Sequence, residues 1–532
     1  MNTTPRTLRR FARSTNFRND FNASFIKRGT ILGSDQRFLL LNNNDATPSW
    51  NASQGLVKSS VLSRTFAQYF GISTRKEPPE PRGLPLIGTT LSLMRSGGPQ
   101  KLHEYVDNRH RELGPVFREQ IGPVQGVFVN SPAEYRKILS DLAGNTPQHF
   151  LPEPWVLYNE MRAQNRGLLF MEGEEWWYYR KILNRIMLKS GSKVFYGPCQ
   201  KAADNLTKEW KTYSQTDRTI PNLEHELYQW SIEVMLAAMI GSQWHVCEPR
   251  LRYDIEDIAM ILHQIFTYTS SLSMLPAKLA MKLRLPVWNK FVKAADSVLE
   301  KVRKLVPEMI QLSDNDGILQ MILNNDIRGD KAVRIICDFV IAAGDTTSIT
   351  MQWVLLLLSN QPELQDRLFD EIKDLSLENL LQHQLLRHVW KETLRLYPVA
   401  PFITRILPVD SVIGGYFVPK GNLILLSLYS SGRDENNYVR PNEFWPERWL
   451  RTGEDSFKYQ GVKDTRANVP FAVGVRNCIG QRLAETQLSL TLAQLIKNFK
   501  IECENRDKIK MILRMVSVPS ESIRLKLTDR KI

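Results

Sequence analysis

One stretch sets the scale of anything this chain can fold into. Residues 330–359 carry helix signals without a break, with Asp330 able to cap the start and Pro362 beyond the end. A helix of about 30 residues is about 45 Å long. Residues 339–358 are apolar enough to resemble a membrane span, yet Asp345, Thr346, Thr347, Ser348, Thr350 and Gln352 interrupt the middle. Lipid tolerates few such groups. The pattern therefore predicts a buried helix crossing a large core, and a chain of 532 residues that is 42% hydrophobic can build one.

Around it, residues 90–390 are mostly amphipathic helix by periodicity. Short strand-like runs occur at 116–120, 126–130 and 422–426, the last bounded by Pro419-Lys-Gly421. No long linker interrupts residues 90–530, and no repeat is visible. The expected fold is mainly α with a small β portion, in one domain. Lys76-Glu-Pro-Pro-Glu-Pro-Arg-Gly-Leu-Pro85-Leu-Ile-Gly88 is too rich in proline for helix and predicts a stiff extended linker over 76–88.

Charge is unevenly spread. Lys and Arg number 70 against 56 acids, a net +14. Residues 1–76 hold 12 of the cations and only Asp20, Asp35 and Asp45, giving +9 and leaving +5 for the rest. A body this mildly basic argues against a nucleic-acid partner. At the start, Arg6, Arg10 and Arg13 share one helical face while Leu8 and Phe11 share another. Few acids and many Ser and Thr accompany them, the composition of a mitochondrial transit peptide over 1–75; a disordered basic tail is the alternative. No run of about 20 apolar residues occurs near the start, as a spanning anchor would need. The five cysteines (Cys199, Cys247, Cys337, Cys478, Cys503) are odd in number, scattered and never at CxxC spacing, which excludes a disulfide framework and a zinc site. The eight histidines are scattered too, with no ligating context.

Several motifs can carry chemistry. Phe471-Ala-Val-Gly474-Val-Arg476-Asn-Cys478-Ile-Gly480 sets one cysteine in a glycine-bounded loop ahead of a helical run from Gln481. Unpaired N–H groups and the positive helix end there favour thiolate over thiol. A buried thiolate needs a strong partner, and haem iron is one; alone, a cysteine flanked by glycine is usually structural. In Ala342-Ala343-Gly344-Asp345-Thr346-Thr347 the small residues let a ligand approach the backbone, and the acid and alcohol can relay protons. Threonine back-bonding and an Asp–Arg pair would explain the same residues. Glu392 and Arg395, i,i+3 in Lys391-Glu-Thr-Leu-Arg395-Leu-Tyr-Pro398, could be a surface ion pair. Trp176 and Arg180, one turn apart, could be a surface stack, and Arg387 with Lys391 a solvated basic face. Residues 275–288 mix cations with large apolar side chains, which suits monotopic contact with an anionic leaflet or a helix packed on the domain edge.

In their order along the chain these motifs resemble the cytochrome P450 family, the haem-thiolate monooxygenases. F-x-x-G-x-R-x-C-x-G is the specific one, and the resemblance runs from residue 76 to about 528. It implies a single-domain P450 fold over 89–532, with haem b between the long central helix and the cysteine loop. Cys478 would be the axial iron ligand. Trp176, Arg180, Arg405 (in Pro401-Phe-Ile-Thr-Arg405) and Arg476 would bind the propionates. Thr346 and Asp345 would serve dioxygen and its protons. Glu392, Arg395 and the Arg448 of Phe444-Trp-Pro446-Glu-Arg448-Trp would form a buried ionic lock. The missing anchor and the leader-like start match the mitochondrial class. That class implies electrons from NADPH through ferredoxin reductase and an acidic ferredoxin held by Arg387, Lys391 and Arg482, with the protein peripheral on the matrix face of the inner membrane. The chain departs from the family pattern at Ala343, Ala472 and Gln481.

Within the family, Leu151-Pro-Glu-Pro-Trp155-Val-Leu-Tyr158-Asn, Arg166-Gly-Leu-Leu-Phe170-Met-Glu-Gly173, Lys181-Ile-Leu-Asn184-Arg185, Ile341-Ala-Ala-Gly-Asp-Thr-Thr347, Leu396-Tyr-Pro-Val-Ala-Pro-Phe-Ile403 and Arg514-Met-Val-Ser-Val-Pro519 resemble the ecdysteroid-hydroxylating branch of insects. That implies an apolar steroid substrate and hydroxylation at carbon 2 of 2-deoxyecdysteroids. Another mitochondrial sterol or xenobiotic hydroxylase is the alternative within the class. A haem-thiolate isomerase working without electrons is the alternative outside it, against which Asp345-Thr346 and the basic pair argue.

Overall fold

The structure, a computed structural model, describes residues 76–163, 167–189, 192–216, 218–273, 275–313, 316–451 and 459–530. The expected transit peptide over 1–75 and Arg166 lie outside the described residues.

The long helix spans Gly329–Leu358 and is almost wholly buried. It is long and apolar enough to cross a bilayer, but most of its apolar surface is covered by protein. Asp330 is not its cap. Arg328 holds that position, and Asp330 sits in the first turn, where its carboxylate meets the helix dipole and lies 3.2 Å from Arg303. The helices Leu223–Ile240, Trp244–Leu272 and Pro286–Leu312 pack with it into one apolar core. The first of these comes very close. A Cβ on Gly344 would lie 3.2 Å from Ile232 Cγ1, and the Ser231 hydroxyl donates to the Ala343 carbonyl at 2.8 Å.

Among the described residues, the β portion is a four-stranded sheet and three antiparallel two-stranded pairs. Strands β1 (Val116–Ile121) and β2 (Val124–Val129) are antiparallel, and β2 starts earlier than expected because Ile121 pairs with Val124 across Gly122-Pro123. β3 (Phe402–Ile406) follows the Glu392 helix, Gln384–Leu396. β4 (Ser411–Ile413) pairs with β5 (Tyr416–Val418). β6 (Leu423–Ser427) lies between β2, to which it is parallel, and β3, to which it is antiparallel. After the helix Gln481–Asn498 come β7 (Phe499–Cys503), β8 (Met511–Arg514), β9 (Val516–Pro519) and β10 (Leu525–Asp529), paired β8 with β9 and β7 with β10. The proline-rich 76–88 segment is extended and stitched to this β portion: the Lys76 and Pro79 carbonyls accept from Phe417 and Arg118 N–H.

Candidate active site

The cysteine loop closes on itself through the Cys478 N–H, which donates to the Phe471 carbonyl at 2.8 Å. Gly474 takes φ +82, and a Cβ there would sit 2.4 Å from the Leu139 carbonyl oxygen, so the loop lies flush on its neighbour. Ala472 adopts φ +57, a left-handed conformation that glycine takes without strain. Gly480 caps the helix that follows. Cys478 is accessible although protein surrounds the loop. The helix start acts on this thiol in the expected direction, toward thiolate, and burial opposes it. Burial pushes the thiol up and outweighs the Gly480 N–H and the Arg180 charge, which pull it down. A cationic partner on sulfur would reverse that balance.

Around the loop stand three guanidiniums with little to bond. Arg180, from the helix Gly173–Asn184, donates to Asn477 O and Oδ1 at 2.5 and 2.8 Å. Arg476 donates to the Met171 carbonyl at 2.7 Å and stacks 4.1 Å above the Trp176 ring. Arg405, on β3, donates to the Thr404 carbonyl at 2.7 Å. Among the described residues, Arg180 Nε, Arg405 Nε and Nη2, and Arg476 Nε are buried with no partner, and so is His149 Nδ1. Burial depresses each arginine to about 10, and Arg405 and Arg180 add to the depression of Arg476. Burial, Arg476 and Arg405 hold His149 down to about 3. Unpaired buried cations this close together cost stability until an anion meets them. His149 was not visible as a site residue in the sequence. The Gln148–Ile406 bridge brings it beside Arg405, and no local motif marks it.

On the central helix, Ala342 and Thr346 are the only exposed positions between residues 332 and 356. One turn apart, they open a small-residue face, and the Thr346 hydroxyl donates to the Ala342 carbonyl at 2.8 Å. Asp345 is buried, its Oδ2 has no partner, and burial raises its pKa well above the carboxylate range, with Glu224 adding to the rise.

A profile of the cytochrome P450 family matches residues 78–527. The chain belongs to the cytochrome P450 family. It is 38% identical over 472 residues to cytochrome P450 315a1, mitochondrial, of Drosophila melanogaster, covering 85% of this chain and 88% of that one. It is 30% identical to cytochrome P450 11B2, mitochondrial, of Mesocricetus auratus (81% and 88% covered). To the mitochondrial cholesterol side-chain cleavage enzyme of Oncorhynchus mykiss it is 27% identical (84% and 88% covered). This P450 is a mitochondrial monooxygenase. Its residues fit a haem: an accessible thiol deep in the fold, and unpartnered buried N–H groups suited to a dianionic edge.

The P450's ionic lock is the opposite environment. The Glu392 carboxylate accepts from Arg395 Nε and Nη2 at 2.9 and 2.8 Å, Arg448 Nε at 2.7 Å, Trp445 N–H at 3.0 Å and Trp449 Nε1 at 3.0 Å. Two cations face one anion, and the carbonyls of Gly432, Pro441, Glu443, Val439, Gly461 and Arg440 take the remaining donors. None of the three charged side chains is exposed.

The cations expected to face a redox partner do not form one patch. Arg387 and Arg482 are exposed and line a common surface pocket with Asn477 and Glu485, of about 470 Å³. Lys391 turns inward, its ammonium 3.8 Å above the Trp449 ring, and burial lowers its pKa to about 8. On another side, Leu93, Met94, Phe128, Phe150, Phe402 and Leu513 line an apolar pocket of about 400 Å³ reaching Ser270 and Ser273. Beyond it Leu275, Leu279 and Leu283 are exposed along one face of the segment around the helix Ala277–Lys282.

Proposed function

We propose that this P450 hydroxylates carbon 2 of a 2-deoxyecdysteroid, using electrons passed from NADPH through ferredoxin reductase and an acidic ferredoxin. The observation that carries the haem reading is the set of unpartnered arginine N–H groups around an accessible, deeply placed thiol. Cys478 would supply the thiolate to the haem iron, and Trp176, Arg180, Arg405 and Arg476 would hold the propionates, with His149 beside them. Bound haem supplies dioxygen activation, for which a thiolate ligand favours O–O cleavage. Glu392, Arg395 and Arg448 fix the scaffold beneath the loop. Asp345 holds a proton at its carboxyl, because burial keeps it neutral, and Thr346 presents its hydroxyl on the exposed helix face. The apolar pocket suits a steroid, and its polar minority of Thr90, Thr404, Ser270 and Ser273 can orient hydroxyls. The resemblance of the segments at 151–159, 166–173, 181–185, 341–347, 396–403 and 514–519 supports the ecdysteroid assignment.

Arg387 and Arg482 are the exposed contacts for ferredoxin, with Lys391 behind them. Residues 1–75 are the transit peptide, 76–88 the linker and 89–532 the catalytic domain. The exposed leucines at 275, 279 and 283 rest on the matrix face of the inner membrane. The test is reconstitution with NADPH, ferredoxin reductase, ferredoxin and a 2-deoxyecdysteroid, read by mass spectrometry. One added oxygen at carbon 2 is expected. A product only from other sterols would move the assignment to another hydroxylase, and turnover without reductant would end the monooxygenase mechanism.

A further inference from the structure

Asp345 is sealed from solvent at 3% exposure, so a carboxyl that gives up a proton there must be refilled through the protein. Its face of the central helix shows from where. One turn on is Ile349 and two turns on is Gln352, whose Nε2 is also buried without a partner. Both line a cavity of about 160 Å³ together with Glu224, Arg514, Ser520 and Glu521. A polar space of that size admits a few water molecules. Glu224 closes it at the start of the helix Leu223–Ile240, and its Oε1 lies 3.2 Å from His263 Nδ1 on the neighbouring helix. The pair spans the boundary, with the His263 side chain 46% exposed and that of Glu224 33%. Tyr228 meets the His263 ring edge-on at 6.5 Å.

We propose that the Glu224–His263 pair is the proton intake of this enzyme, refilling Asp345 across the polar cavity bounded by Gln352. The inference rests on the reading of Asp345 as the residue that holds the reaction's proton. In the cycle, Asp345 releases its proton toward Thr346 and becomes a carboxylate. One proton crosses from the pair and restores the acid, and solvent restores the pair. One proton enters for each that leaves, and no electron moves. The electrostatics agree. The Glu224 hydrogen bond raises His263 against burial and the nearby Arg514. Burial works against the Glu224 carboxylate, but His263, Arg514 and His225 outweigh it and hold it ionised. Glu224 is in turn the charged group that acts on Asp345. An ionised intake beside a neutral acid gives the proton a direction only after Asp345 has discharged.

The experiment compares the wild-type holoenzyme with Glu224→Gln, Glu224→Asp, His263→Gln and Asp345→Asn. Without turnover, infrared spectroscopy follows the carboxylic C=O band that Asp345→Asn removes, and times its shift after transfer to D₂O. With ferredoxin, its reductase, NADPH and a 2-deoxyecdysteroid, the share of reducing equivalents recovered as product rather than hydrogen peroxide is measured, along with the solvent deuterium isotope effect. E224Q is expected to slow band exchange about tenfold or more and to raise both peroxide release and the isotope effect. E224D is expected to restore most of the loss, and H263Q to fall between. If E224Q does not fold, H263Q and E224D carry the comparison. Wild-type exchange and coupling in E224Q and H263Q, with D345N uncoupled, would overturn the route alone. Unchanged coupling in D345N would overturn the reading of Asp345 itself.

Discussion

Two groups of buried arginines in this P450 are treated in opposite ways. Arg395 and Arg448 find a carboxylate and six carbonyls, and the Glu392 oxygens receive five donors in return. Among the described residues, Arg180, Arg405 and Arg476 have no carboxylate hydrogen-bonded to them, and nitrogens remain without partners. Both sets come from the same chain and are largely shielded from water. A complete set of partners within the chain marks a scaffold. An incomplete set of like charge, beside an accessible thiol, marks the place where a ligand with negative charge completes the structure.

The largest effect is expected at the scaffold. Glu392→Gln strands two guanidiniums in the interior, an effect of about 3–5 kcal/mol. The expected result is a collapse in the yield of soluble, haem-loaded protein and a lower unfolding midpoint by calorimetry. An unchanged midpoint would mean that the carbonyls alone neutralise Arg395 and Arg448.

The ligand side predicts a change of sign. Arg405→Met removes two unpartnered donors, so apoprotein stability should rise by about 1–3 kcal/mol. In the haem-loaded protein the same change removes a propionate contact and should lower stability. Denaturant unfolding with and without haem reads both, and destabilisation in both states would make Arg405 a scaffold residue.

Acid sharpens the contrast further. His149 stays neutral in the folded apoprotein down to about 3, whereas the unfolded chain takes up its proton near the ordinary imidazole value of 6.5. The unfolded state therefore binds more protons between these values, and stability present above 6.5 is lost as pH falls toward 3, at a slope of at most about 1.4 kcal/mol per pH unit. His149→Gln is expected to flatten that part of the profile. Haem, whose propionates would sit beside the ring, is expected to narrow the window in the wild type. An acid profile that neither haem nor H149Q alters would detach His149 from the site.

What the sequence could disclose follows from which interactions are local. The cysteine loop is a run of ten residues whose glycines and hydrogen bond close within it, so its spacing is readable. The long helix is readable because burial on all sides leaves an apolar run. Lys391 was placed on the right helix but not on the right side, since its contact with Trp449 depends on a segment far along the chain. The burial of Cys478 is not readable in the sequence for a similar reason. Helix-end effects are local, but the burial that outweighs them is tertiary. His149 and the Glu224–His263 pair carry no motif, because their neighbours come from distant strands and helices. The left-handed φ of Ala472 gives physical form to the departure noticed at that position.

The proposed haem-thiolate site rests on Cys478 and the three arginines together. The most direct measurement is the reduced carbon-monoxide spectrum of the haem-loaded chain and of Cys478→Ser, with haem content measured in each. The wild type should show the thiolate-ligated complex; C478S should lose that signature while keeping haem through its arginine contacts. A thiolate signature that survives in C478S, or a folded wild type that takes up no haem, would contradict a haem-thiolate site at Cys478.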